Sequence, residues 1–240
     1  MSPRRKRDYL AVFRSLLHLL PSTSVQKFVA DFEKGLCNAL RHLFPGIPIK
    51  GCVFHWCQTI FRKIPKSGLA VSYNSKGNTY TFLRKLMVLP FLPREHIPLA
   101  FTKLKDTGQG RLQIVVRYVE KRWISSRIYP IASWCVFRQA FLTNNDIEGY
   151  RNYLNTQAVN GNPPFYLLCR LLHRESSLIP LQVKLVCECK LKRYQCKQSR
   201  YIQGCIFSLW DQYAQRQISA ITLLRRCAFV YGPTKAPGSP

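Results

Sequence analysis

Apolar positions recur at three- and four-residue intervals along most of the chain. Leu10, Phe13, Leu16, Leu17 and Leu20 predict a first amphipathic helix. Arg14 and His18 interrupt what would otherwise imitate the apolar part of a signal peptide, and no small-residue cleavage site follows. Pro21-Ser22-Thr23-Ser24 reads as a loop, and Val25 to Ala30 as a short strand. Asp31-Phe32-Glu33 is expected to open a second helix with Leu36, Leu40 and Leu43 in line, ended by Phe44-Pro45-Gly46. A second strand is expected over Pro48 to Phe54. A helix then starts near His55, with Trp56, Ile60 and Ile64 on one face. This helix–strand–helix–strand–helix order over 9–65 is α/β wiring.

Residues 66–80 carry Gly68, Asn74, Gly77 and Asn78 and read as a loop. From Tyr80 to Trp123 the period is helical. The stripes are Phe82, Leu83, Leu86, Met87; then Ile97, Ala100, Phe101, Leu104; then Leu112, Val116, Val119, Trp123, all expected in the core. Residues 124–144 are irregular and aromatic, around Tyr129-Pro130 and Trp134. A helix is expected near Asn145 and another over about Phe165 to His173, before a Pro/Gly-rich tail at 232–240 that is expected to be disordered. The fold class is therefore α/β, mostly helical.

Charge narrows the function. Lys and Arg total 37 against 11 Asp and Glu, a net +26. Such a chain repels itself unless an anion sits on it, and nucleic acid is the usual one. Eleven carboxylates leave little material for acid/base or metal chemistry. No apolar stretch approaches the roughly 20 residues that span a bilayer, so no membrane partner is expected. The run Pro3-Arg4-Arg5-Lys6-Arg7 fits a nuclear import signal and equally a solvated basic tail; a nuclear location is the expectation taken from it. Ten cysteines form no CxxC…CxxC ladder and read as reduced, partly buried thiols. Cys187-x-Cys189 with Cys196 has no histidine after His173, and only Cys205 and Cys227 could complete a site, so zinc is not expected.

Three stretches stand out in order: Val29-Ala30-Asp31-Phe32-Glu33, Gly51-Cys52-Val53-Phe54-His55-Trp56-Cys57-Gln58, and Thr143-Asn144-Asn145-Asp146-Ile147-Glu148-Gly149-Tyr150. Together with Phe44-Pro45-Gly46, Trp123 and Trp134, they resemble the transposases of Mutator-like elements (MULEs), which have an RNase H-like catalytic domain. The resemblance covers roughly residues 9–175. It implies a DDE-type site in which Mg²⁺ (or Mn²⁺) ions, held by carboxylates, stabilise the attacking and leaving oxygens of a DNA phosphodiester. By the resemblance, Asp31 matches the second Asp, Glu148 the Glu, and Cys52 and His55 the Cys-x-x-His, a structural or DNA-contact motif or half of a metal site.

The resemblance also implies an organisation. Residues 1–65 would be the second half of the RNase H-like core, with two remaining parallel strands, and 66–142 an all-α insertion. Residues 143–175 would return a core helix with the third acidic position, 176–231 form a basic helical region, and 232–240 a tail. The family's first Asp lies upstream of everything seen here, and Asp8, beside Arg7 in an amphipathic helix, does not replace it; Tyr150 stands where the family has a His. The expected result is a DNA-binding, transposase-derived protein that is catalytically inactive as it stands. A homo-oligomer is compatible with this reading.

Simpler explanations exist for each residue. Asp31 is placed to cap a helix, and Asn145 with Glu148 approaches a capping box. Cys52 and His55 would serve as a buried thiol and an ordinary helix-start imidazole. The basic residues Lys184, Lys190, Lys192, Arg193, Lys197 and Arg200 form a solvated face or, with Tyr194 and Tyr201 interleaved for stacking, a nucleic-acid contact, which is the reading favoured here. Two other functions stand beside the leading one: an active Mg²⁺-dependent transposase or endonuclease if the product is longer, and a basic RNA-binding or scaffold protein. The helical stretch 80–175, with its local contacts, is expected to resist proteolysis better than residues 1–60.

Overall fold

The computed structural model describes residues 5–20, 24–140, 142–143, 145–158, 163–190 and 197–233, with backbone alone at 145–148 and 151. The tail expected to be disordered falls, over 234–240, outside the described residues.

The chain forms two compact units. The first joins Met1–Thr143 to Ile202–Pro240, and the second is Asn144–Tyr201. Among the described residues the protein is mostly helical, with one small parallel sheet. The first unit opens with α1 (Lys6–Leu19), β1 (Phe28–Ala30), α2 (Lys34–Leu43), β2 (Ile49–Gly51) and α3 (Val53–Phe61). The two strands pair in parallel, Phe28 opposite Ile49, Val29 opposite Lys50 and Ala30 opposite Gly51. α2 is the crossover that a parallel pair requires.

Several boundaries differ from the sequence reading. The second strand stops at Gly51, because Cys52 already occupies the helix-capping position and α3 begins at Val53. Asp31 does not cap α2; Glu33 holds that position, without a side-chain cap. The expected loop at 66–80 contains α4 (Lys63–Lys66, which takes in Lys66), α5 (Ala70–Asn74) and the start of α6 (Asn78–Met87). There Leu69 and Tyr73 turn apolar side chains into the core, which favours helix over loop.

The three predicted stripes lie on α6, on α7 (Ile97–Thr107) and on α8 (Leu112–Val119), which continues through a π-turn at Glu120–Ile124. The one-turn helix α9 (Ile131–Trp134) follows. Trp56, Trp123 and Trp134 are fully buried together, with ring centroids 4.8 Å apart for Trp56–Trp123 and 4.3 Å for Trp56–Trp134. The indole of Trp56 donates to the Met87 carbonyl at 3.0 Å, satisfying its one polar atom.

Two C-terminal helices complete this core: α12 (Lys197–Ala214), whose Ile202–Ala214 portion belongs to the unit, and α13 (Ala220–Val230). Trp210 on α12 donates to the Phe91 carbonyl at 2.9 Å. Arg84 on α6 is only 2% exposed. Its guanidinium closes the end of α13, donating to the carbonyls of Ala228 (2.7 Å), Phe229 (3.1 Å), Gly232 (2.6 Å) and Pro233 (3.1 Å). The last carbonyls of a helix lack intrahelical donors, and a fork of N–H groups supplies them.

The second unit holds α10 (Asn145–Gln157), α11 (Phe165–Cys187) and the first turn of α12. α11 runs well past the predicted His173, through Pro180. Tyr153 donates to Glu175 at 3.1 Å and Arg174 to Gln157 at 3.0 Å, tying α10 to α11. Among the described residues no helix is long and apolar enough to cross a membrane.

Candidate functional site at the carboxyl ends of the strands

Parallel pairing puts the residues that follow both strands at one edge of the sheet. Asp31 follows β1 directly, and Cys52 follows β2; the Cys52 amide extends the ladder by donating to the Ala30 carbonyl at 3.1 Å. The register therefore delivers His55, on the first turn of α3, to Asp31. Asp31 Oδ1 lies 2.9 Å from His55 Nδ1, an ion pair when the imidazole is protonated. The Asp31 side chain stays 45% exposed and that of His55 21%.

The backbone around Asp31 is held from several sides. Its carbonyl accepts from the Glu33 amide at 2.8 Å and from the Cys37 thiol at 3.7 Å. Glu33 accepts from the Tyr9 hydroxyl of α1 at 2.6 Å. Phe32 turns inward between the strands and the helical part. Its ring meets Trp123 edge-on at 4.5 Å and Tyr129 at 5.5 Å, and its carbonyl accepts from the Tyr129 hydroxyl at 2.9 Å. The far end of the ring also lies against Gly51: a Cβ there would come within 2.1 Å of it. Glycine at this strand end is thus a packing requirement.

The thiols nearby are buried. Cys52 is fully buried. Cys57 is buried and donates to the Met87 carbonyl at 3.3 Å, and burial pushes its thiol well above the ordinary cysteine range. Burial also raises Cys37. Among the described residues no three His, Cys, Asp or Glu side chains gather as a metal site. Among the described residues this corner pairs the Asp31 carboxylate with the His55 imidazole, short of the oxygen-rich set that Mg²⁺ takes.

The third motif is partly placed. The Val53 amide at the start of α3 donates to the Leu142 carbonyl at 3.0 Å, so the chain just ahead of α10 is fastened to the same strand end. Glu148 is on α10, in the second unit, and its side chain lies outside the described residues, as does that of Asn145. The capping-box and metal-ligand readings of Glu148 rest on that side chain.

The predicted basic residues are spread over the last part of the second unit. Lys184 is exposed in the last turn of α11, and Lys190 lies beyond it, paired to Glu188 at 2.8 Å. Lys197 and Arg200 are exposed on the first turn of α12, next to the exposed Tyr201. Lys192, Arg193 and Tyr194 lie outside the described residues. Sequence reasoning missed the roles of Phe32, Gly51 and Tyr129. A glycine ending a strand one residue before a Cys-x-x-His was the available signal.

Comparison with known proteins gives one match. Residues 1–59 match the MULE transposase domain, a segment that runs from α1 into α3 and contains Asp31, Cys52 and His55. The match supports a Mutator-like, transposase-derived protein, as the ordered motifs implied. No curated protein and no solved structure matches the chain.

Proposed function

We propose that the chain is a DNA-binding protein derived from a Mutator-like transposase. In this reading β1, α2, β2 and α3 are part of an RNase H-like core, and the helices from α4 to α9 are the family's helical insertion. The observation that carries the proposal is that the matched segment, residues 1–59, coincides with the strand-end corner where Asp31 and His55 meet. The net charge of +26 supports DNA as the partner, because neutralised phosphates release counterions. A nuclear location follows from the same partner.

Salt dependence of duplex binding tests this. With about six phosphates neutralised, log K should fall against log salt with a slope near −5. Binding that ignores salt, or tighter binding to structured RNA than to duplex DNA at equal salt, overturns the proposal.

Asp31 acts, in the favoured reading, as the partner of His55 rather than in strand cleavage. The half-open position of its carboxylate at a strand end favours a second reading, a live Mg²⁺-dependent nuclease in which Asp31 and Glu148 would be the ligands. The described residues do not by themselves fit the metal, and no step is drawn through it. Mg²⁺-dependent nicking of duplex DNA that is lost in Asp31→Asn, with binding kept, would establish that second reading.

A further inference from the structure

Segment 132–139, which takes in most of α9 and the residues after it, gathers cations from three separate parts of the first unit. Lys27, just before β1, donates to the Gln139 side chain at 3.1 Å. Lys50, in the middle of β2, donates to the carbonyls of Ala132 at 2.7 Å and Cys135 at 3.5 Å. The turn before α7 packs on the same segment: Val136 N donates to the Pro90 carbonyl at 2.8 Å and the Cys135 thiol to the Leu92 carbonyl at 3.3 Å. That turn brings in Arg94, which is exposed.

Among the described residues none of these three cations makes an ion pair; Glu95, next to Arg94, is exposed and pairs with none of them. The carbonyl oxygens orient the Lys50 ammonium without cancelling its charge. Burial pushes the Lys50 amine down from its ordinary value; Cys135 opposes this, and the neighbouring Lys27 and Arg94 add to it. Neighbouring like charges disfavour one another, and an anion placed among them would relieve that. Within the segment Arg138 adopts φ 55°, the left-handed region that costs a non-glycine residue free energy. Strain and uncompensated charge thus coincide on one surface.

We propose that Lys27, Lys50 and Arg94, set around segment 132–139, form a contact site for the phosphate backbone of duplex DNA. The site rests on the DNA-binding reading above and names the surface that serves it. This surface was not among the basic residues that the sequence pointed to, because its members are 23 and 44 residues apart in the chain. They meet only through the parallel pairing of β1 with β2 and the return of segment 132–139.

The test is the salt slope of duplex binding for the full chain. Each lost phosphate contact lowers the slope by about 1. Lys27→Gln with Arg94→Gln should therefore lower it by about 2, and Lys27→Gln alone by about 1. Near-UV circular dichroism reports whether each variant keeps the native fold; if the double variant does not, the single variants carry the test. Lys103→Gln with Lys121→Gln, exposed cations on α7 and in the π-turn, should leave the slope at the wild-type value. Wild-type binding with an unchanged slope in the Lys27/Arg94 variants overturns the site and leaves the DNA-binding reading standing. An equal loss in the Lys103/Lys121 control also overturns the site, since the contact would then be spread over the surface. No binding by the wild type removes both.

Discussion

Asp31 Oδ1 and His55 Nδ1 meet at 2.9 Å across the carboxyl ends of two parallel strands. The contact joins the residue after β1 to the first turn after β2, so it reports the register of the pair as much as any chemistry. With the Asp31 side chain 45% exposed, solvent screens it. Asp31→Asn and His55→Ala should each cost well under 1 kcal/mol, and a double-mutant cycle in urea should give a coupling of about 0.5 kcal/mol or less. A coupling above 2 kcal/mol would mean that the pair is far better shielded than its exposure says.

Gly51 should tolerate no side chain. A Cβ there meets the Phe32 ring at 2.1 Å, and that ring is backed by Trp123 and Tyr129. Overpacking of this kind typically costs about 1–3 kcal/mol, so Gly51→Ala should lower the urea midpoint accordingly. Adding Phe32→Leu to Gly51→Ala should recover part of the loss. An unchanged midpoint in the single variant would contradict the packing described.

Arg84 offers a sharper case. It is a buried cation whose partners are four backbone carbonyls at the end of α13. Arg84→Met removes the donors from these carbonyls, the Ala228 one buried and the others part-buried; a loss of about 2–4 kcal/mol is expected. Lysine brings a point charge without the planar fork, so Arg84→Lys should recover only part. Chemical denaturation of the three proteins side by side checks the order.

Stability should fall on the alkaline side. Burial raises the Tyr73 hydroxyl to about 12 and the Cys227 thiol to about 12. Unfolded, a thiol ionises near 8.5 and a tyrosine near 10. Folded groups with raised values keep their protons longer, so the unfolded state loses protons first. Their contribution is whole below the unfolded values and is lost as pH rises through the folded ones. Unfolding free energy should therefore decline from about pH 9 to pH 12, and Cys227→Ala should flatten the early part of that decline. A curve that stays level to pH 12 would refute it.

Limited proteolysis should follow the two units. Cys37, Val53, Trp56, Cys57 and Ile60 share one core with α6, α8 and α13, so this part of the chain should resist cleavage together with those helices. Among the described residues of the second unit, only Ala158, Leu171 and Glu175 are buried. Cleavage within 144–201 should precede cleavage within 1–143, read by mass spectrometry of early fragments.

Much of this was legible in the sequence. The stripes through Leu83, Phe101 and Val116 found the core because helical periodicity depends on burial alone. The strand-end position of Asp31 was legible too, since Val29 and Ala30 lead into it. Boundaries were less so: an extended run to Phe54 was expected, but Cys52 begins a helix, since capping depends on backbone geometry that residue type only weakly marks. A helix was expected to end near His173, yet α11 continues through Pro180 to Cys187. The partners of Phe32 and Lys50 lie some 80 to 100 residues away, and no local pattern encodes such meetings.

The clamp of Arg84 on α13 bears on how the protein is made. During synthesis the matched N-terminal segment and α6 leave the ribosome well before residues 220–233. Until those residues emerge, a guanidinium placed for burial has no carbonyls to hold, and Leu83, Leu86 and Phe91 lack part of their cover. The helical part around α6 therefore completes its packing only after the distant α13 has been translated, and a nascent chain stalled before it presents an aromatic, cationic surface to chaperones.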